Sequence, residues 1–212
     1  MTRLTGLAAA SAALAATPAL AHHPLGGVEM TTHGQFLLSG IGHPLLGFDH
    51  LFFVIAVGVA AGLLGRALSL PLGYVAGMVG GLLAAIAGLA LPGVEAAIAL
   101  SLLALGTAVA LGRLPGTGGT LVLFAGAGLF HGLAFSSSIL GVEAAGAWTM
   151  VAAYALGLAA VQWAVAAGAG LLAGRAGDVV LPRLAGAAVA GAGAFLLLEH
   201  LEGAAFAALG IG

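Results

Sequence analysis

Six apolar segments run along this chain, and they constrain its fold more than any other feature. They cover residues 45–64, 70–91, 94–112, 120–140, 146–173 and 183–203. A helix needs roughly 20 apolar residues to cross the hydrocarbon core of a bilayer, and strand-like alternation of apolar and polar residues is missing. Only 6% of the 212 residues are charged and 62% are hydrophobic, whereas a soluble domain carries many more charges. The sequence therefore predicts an all-α fold, a polytopic membrane helical bundle with about six transmembrane helices.

The N-terminus has the features of a cleavable secretory signal peptide. Arg3 supplies positive charge, residues 4–16 are apolar, and Ala19 and Ala21 form an Ala-x-Ala cleavage signature. An uncleaved first helix is the alternative. We predict two parts, a signal peptide over residues 1–21 and a single six-helix transmembrane domain over residues 22–212.

Cleavage after Ala21 would make His22 the first residue of the mature chain, followed by His23. A free α-amine and an imidazole on one residue can chelate a divalent cation, and imidazole nitrogen suits zinc, copper, nickel and iron. We therefore count His22 and His23 as candidate metal ligands, beside the plainer interpretation of a polar tail outside the membrane.

The arginines indicate how the bundle is oriented. A signal peptide places the mature N-terminus outside the cytoplasm, and six alternating spans return the C-terminus to the same side. The remaining arginines then all fall in cytoplasmic loops, as the positive-inside rule requires. They are Arg66, Arg113, Arg175 and Arg183. We predict a bacterial inner-membrane protein with both termini on the periplasmic side.

Several function classes are excluded by what the chain lacks. It has no cysteine, so it offers no disulfide, thiolate metal site or cysteine nucleophile. Its five basic residues are all arginines and form no patch for nucleic acid. The glycine-rich stretch 116–119 lacks the lysine of a phosphate-binding loop. We expect neither a nucleic acid nor a nucleotide as a partner.

A first cluster of ionisable residues stands at the start of the first span. His43 and His50 are seven residues apart, so a regular helix would separate them by about 10 Å along its axis. Pro44 and Gly47 lie between them and can break the helix, which would bring His43 back toward Asp49 and His50. Two imidazoles and a carboxylate suit nickel, cobalt or zinc. The alternative is a solvated polar helix cap.

A second candidate is His131, in the middle of the fourth apolar segment. A single buried histidine is usually a hydrogen-bonded structural residue, and the serines at 136–138 can bond to helix carbonyls. In the functional interpretation His131 lines a polar path through the bundle, with the serines as weak oxygen ligands.

The His-x5-Asp-His spacing resembles the first-span signature of the HupE/UreJ family, small bacterial membrane proteins regarded as nickel and sometimes cobalt permeases. Three stretches of the sequence carry this resemblance, which extends over essentially the whole chain. They are residues 43–51 with 56–58, residues 91–101, and Phe130-His131-Gly132. The family's second motif usually continues with another histidine and a glutamate, where this chain has Leu133, Phe135 and the serines.

The resemblance implies a secondary permease that imports nickel, or cobalt, for metalloenzyme or cofactor maturation. The metal would be cargo, with no permanent cofactor and no catalytic residue; the partners would be the divalent ion and membrane lipid. A homo-oligomer is left open. The candidate metal ligands are His22, His23, His43, Asp49, His50 and His131. Two alternatives stay open: an intramembrane metal-dependent hydrolase, and an accessory protein that assists metalloenzyme assembly without transport.

Overall fold

The computed structural model describes residues 30–139 and 147–209, and within these ranges the chain forms seven α-helices and no strand. The all-α class is therefore confirmed. The predicted signal peptide, His22 and His23 lie outside the described residues. The helices are α1 (His33–Leu46), α2 (Phe48–Leu63), α3 (Pro71–Ile86), α4 (Val94–Leu111), α5 (Gly116–Phe135), α6 (Ala147–Arg175) and α7 (Val180–Ala208), with a 3-10 turn at Ser136–Ser138.

The number of membrane crossings is supported less fully than the helical class. Four described helices, α4 to α7, are each long and apolar enough to cross a membrane, and α1 with α2 adds a fifth if this pair, bent by 79°, forms one span. Helix α3 is apolar but has 16 residues, which gives a length of about 24 Å against a hydrocarbon core of about 30 Å. Four or five crossings are thus supported, and the count of six stays a prediction.

Helix α1 was not predicted as a separate element. Thr32 caps its N-terminus in a reciprocal pair of hydrogen bonds with Gln35, and the helix ends at Leu46. Its sequence mixes serine, glycine and histidine with apolar residues, so it does not form the continuous apolar run by which spans are recognised. It packs on α6 instead, where Gly157 lies against the backbone of Leu37.

Glycines let the helices approach one another closely, as small residues commonly do in membrane bundles. On α3, a Cβ atom at Gly77 would overlap the carbonyl oxygen of Ala125, and one at Gly81 would overlap that of Leu129. Both contacted residues belong to α5, and the matching order of the pairs shows that α3 and α5 run parallel.

The helix directions divide the charged residues between two ends of the bundle. Asp49, Glu95 and Glu199 line one cavity, so α2 and α4 begin near the end of α7. We call this end of the bundle the acidic end. At the opposite end, a second cavity is lined by Leu64 and Arg183. The other is the arginine end, and the arginines that define it are Arg66, Arg113, Arg175 and Arg183.

Candidate metal site

The break between α1 and α2 brings the first histidine back to the second. Gly47 separates the helices in an extended conformation, and the two helix axes differ by 79°. The ring centroids of His43 and His50 are 5.8 Å apart as a result. A Cβ atom on Gly47 would lie 3.0 Å from Cδ2 of His50 and 3.1 Å from Oδ1 of Asp49, so glycine gives both side chains the space they occupy.

His131 of α5 joins this cluster from across the bundle. Its Nδ1 lies 3.0 Å from Nδ1 of His50, and its ring stacks on Phe53 with centroids 4.5 Å apart. His131 is fully buried and His50 is 4% exposed. The fourth-span histidine therefore contacts His50 directly, and His50 in turn contacts His43.

A hydroxyl on α4 fixes the proton positions of this histidine pair. Ser101 donates its one hydroxyl proton to the carbonyl oxygen of Ile98 at 2.7 Å. Its oxygen must then accept the hydrogen on Nε2 of His131, 3.1 Å away. Nδ1 of a neutral His131 is then the acceptor, and Nδ1 of His50 the donor. His50 consequently carries its unprotonated nitrogen at Nε2, the form in which imidazole ligates a metal.

His43 is oriented in the same way by α6. The Tyr154 hydroxyl donates to the carbonyl oxygen of Phe135 at 3.0 Å and therefore accepts from Nδ1 of His43 at 2.9 Å. Ser138 Oγ lies 3.1 Å from the same nitrogen. Nε2 is again the unprotonated nitrogen. Histidines that bind metals commonly have the other ring nitrogen held as a donor in this manner.

Asp49 places a carboxylate beside His50. Its Oδ2 lies 3.8 Å from Nε2 of His50, and its Oδ1 is buried with no hydrogen-bond partner. Two atoms that bind the same ion at about 2.1 Å lie within about 4.2 Å of each other. Oδ2 of Asp49 and Nε2 of His50 can therefore ligate a common ion. Across residues 30–139 and 147–209, no three histidine, aspartate or glutamate side chains are arranged to hold one ion. An ion bound here would keep several of its waters.

A cavity of about 470 Å³ lies beside Asp49 at the acidic end. We call it the acidic cavity. Helices α2, α4 and α7 form it, and its polar lining is Asp49, Glu95, Glu199 and His200, with Ile98 and Leu196 among the apolar residues. Asp49 is thus the residue through which the buried histidine cluster meets the cavity.

Four candidate ligands, His43, Asp49, His50 and His131, lie in one cluster; their role in metal binding stays a prediction. Sequence reasoning did not identify Ser101 as part of it. Two further polar side chains of α6 bond across helices: Tyr154 bonds to His43, and Gln162 accepts a 2.6 Å bond from Tyr74. The sequence signal that could have identified Tyr154 and Gln162 is that both are polar residues inside an apolar segment.

Comparisons with known proteins identify a family and a relative for this sequence. Residues 10–196 match the family model described as HupE / UreJ protein. Protein HupE of Rhizobium leguminosarum bv. viciae is 37% identical over 191 residues, which cover 86% of this chain and 93% of the relative. No solved structure matches the chain. The family match spans most of the sequence, and the chain therefore belongs to the HupE/UreJ family.

Proposed function

We propose that the protein is a secondary permease of the bacterial inner membrane that imports Ni²⁺ or Co²⁺ for metalloenzyme maturation. The HupE/UreJ family is associated with nickel and cobalt uptake. One observation carries the proposal for this chain: Nε2 of His50, the nitrogen left without a hydrogen in the inferred neutral tautomer, lies 3.8 Å from the Asp49 carboxylate in a predominantly apolar bundle.

Burial argues that this pair is kept for function. An ionised side chain within a membrane span costs on the order of 3 kcal/mol on insertion scales, and Asp49 is 9% exposed. A mixed nitrogen and oxygen ligand set suits Ni²⁺, Co²⁺ and Zn²⁺. Two protein ligands with water completing the shell would bind such an ion weakly enough to release it, as transport requires.

The direction of transport follows from the charge distribution. The positive-inside rule assigns the arginine end to the cytoplasm, so the acidic end would receive the ion from outside. Two charges that cross a potential of 100 mV gain about 4.6 kcal/mol, at about 2.3 kcal/mol per charge. Inward movement of a divalent cation therefore needs no nucleotide. Phe135, which contacts His43 and His50 at 4.9 Å and 4.3 Å between centroids, would make the path partly apolar.

The test is the nickel and cobalt content of cells that lack their own importers, measured by elemental mass spectrometry. We expect the protein to raise the content of one metal, and Asp49→Asn to lower that gain by at least about tenfold because it removes an anionic ligand. Asp178→Asn is the matched control. Asp178 is an exposed aspartate at the arginine end that accepts from the Val180 amide, which asparagine can also do.

Two other outcomes would overturn the proposal. No accumulation of either metal by the intact, membrane-inserted protein would favour an accessory role without transport. A metal that stays with the purified protein through dialysis would favour an intramembrane hydrolase, because such an enzyme holds its metal permanently.

A further inference from the structure

The acidic cavity gathers carboxylates from three helices. Asp49, Glu95 and Glu199 come from three different helices to line one space. They are three of the five carboxylates within residues 30–139 and 147–209. In those same ranges no arginine is among the lining residues. Three carboxylates around one cavity favour a cation inside it.

Asp49 gives the cavity an independent sign of a ligand. The residue is 9% exposed, and its Oδ1 is a buried carboxylate oxygen without a hydrogen-bond partner. A buried ionised oxygen left unsatisfied is costly. A cation or its bound water in the adjoining cavity would supply the missing interaction.

The size of the cavity indicates the form of that cation. No three of its carboxylates and His200 are arranged to ligate one ion directly. Its volume of about 470 Å³ is larger than a divalent ion with six waters, which takes roughly 200 Å³ at about 30 Å³ per water. Carboxylates and an imidazole spaced around such a complex can accept hydrogen bonds from its waters.

We propose that the acidic cavity is a separate site for a hydrated divalent cation, in which Glu199 and His200 of α7 accept hydrogen bonds from the ion's water shell. Asp49 would be shared between this site and the histidine cluster, where water is exchanged for protein ligands. The inference deepens the proposed permease function and rests on it for the direction of entry, while the binding site itself can be tested without transport.

The test uses hexaamminecobalt(III), a cation whose ligands do not exchange and which therefore binds only through its outer shell. Its binding to the full-length protein in neutral-lipid nanodiscs is measured by calorimetry at low and high salt. We expect saturable binding that Glu199→Gln weakens by about three- to tenfold at low salt, with the difference shrinking in 0.5 M salt because charges are screened there.

Glu202→Gln is the matched control. Glu202 is an exposed glutamate three residues further along α7 and is not among the residues that line the cavity, so its substitution removes the same charge outside the site. Glu199→Asp, which keeps the charge, should restore most of the binding. Equal weakening by Glu199→Gln and Glu202→Gln, or no saturable binding, would overturn the inference.

The two proposals can fail separately. Saturable, Glu199-dependent binding by a protein that accumulates no nickel or cobalt would overturn the permease and leave the cavity site standing. Accumulation that proceeds with no binding of the inert complex would overturn the cavity site alone.

Discussion

At the scale of single residues, the hydroxyl of Ser101 decides which nitrogen of His50 is available to a metal. The hydroxyl bonds Nε2 of His131 at 3.1 Å, and His131 in turn bonds Nδ1 of His50. We predict that Ser101→Ala raises the external metal concentration for half-maximal uptake by about tenfold, in the range seen when residues that orient metal ligands are removed. Initial uptake rates over a series of metal concentrations would measure this.

Ser101→Thr distinguishes orientation from packing. Threonine keeps the hydroxyl that donates to Ile98 and accepts from His131, so it should restore most of the affinity that alanine loses. If threonine and alanine were equally impaired at equal expression, the hydroxyl would have no part in orienting the histidines.

The candidate ligands were accessible to sequence reasoning because ionisable residues are rare in so apolar a chain. His43, Asp49 and His50 stand within eight residues, and His131 interrupts an apolar segment. Ser101 was not accessible in this way. A serine in a membrane helix usually bonds to its own backbone, and Ser101 does so with Ile98; its second bond, to His131, depends on how α4 packs against α5.

At the scale of helices, the sequence predicted the break at Gly47, but it did not predict that α1 forms a separate helix before it. Pro44 lacks an amide hydrogen and Gly47 has no Cβ, so both disfavour a continuous helix. The course of the preceding fourteen residues of α1 depends on the face of α6 that receives them, which no local pattern reveals. Helix α3 also ends earlier than predicted, before Gly88 turns the chain with φ of 95°.

The close packing of α3 on α5 gives a prediction about stability. Gly81 faces the backbone of Leu129 across this contact, whereas a Cβ atom on the neighbouring Gly80 would meet nothing within 4 Å. Gly81→Ala should destabilise the protein by about 1–3 kcal/mol through overpacking. Gly80→Ala should be neutral or stabilising by up to about 1 kcal/mol.

Thermal unfolding of the purified variants in detergent would measure the difference, at roughly 2–4 °C per kcal/mol for a chain of this size. An unchanged melting temperature for Gly81→Ala would mean that α3 and α5 do not approach as closely as described. The comparison is controlled for composition, because both variants add the same methyl group to the same helix.

At the scale of the whole molecule, the arginines of the described residues lie at one end of the bundle, and all of their carboxylates except Asp178 lie at the other. Helices α2, α4 and α6 end at the arginine end. The acidic end holds the candidate site and the acidic cavity. The alternation that separates them was predicted from the apolar segments and the signal peptide, and the positions of the arginines agreed with it independently. The count of crossings was not settled in this way, because 16-residue α3 is short for a span and its neighbours decide whether it reaches both surfaces.

Single cysteines can decide both orientation and count, since the chain has no cysteine of its own. Leu91, 39% exposed, lies between α3 and α4, and Gly177, in open space, lies between α6 and α7. With six spans and the acidic end outside, a membrane-impermeant maleimide should label Leu91→Cys in intact spheroplasts and Gly177→Cys only after permeabilisation. Each variant should retain metal uptake, which shows that it is folded. Labelling of Gly177→Cys alone in intact spheroplasts would reverse the orientation of α4 to α6. The crossing of α3 is tested by a third variant, Leu68→Cys, because Leu68 is 51% exposed and lies between α2 and α3. If Leu68→Cys and Leu91→Cys were labelled from the same side of the membrane, α3 would not cross and the ion would meet a shorter path on that side of the bundle.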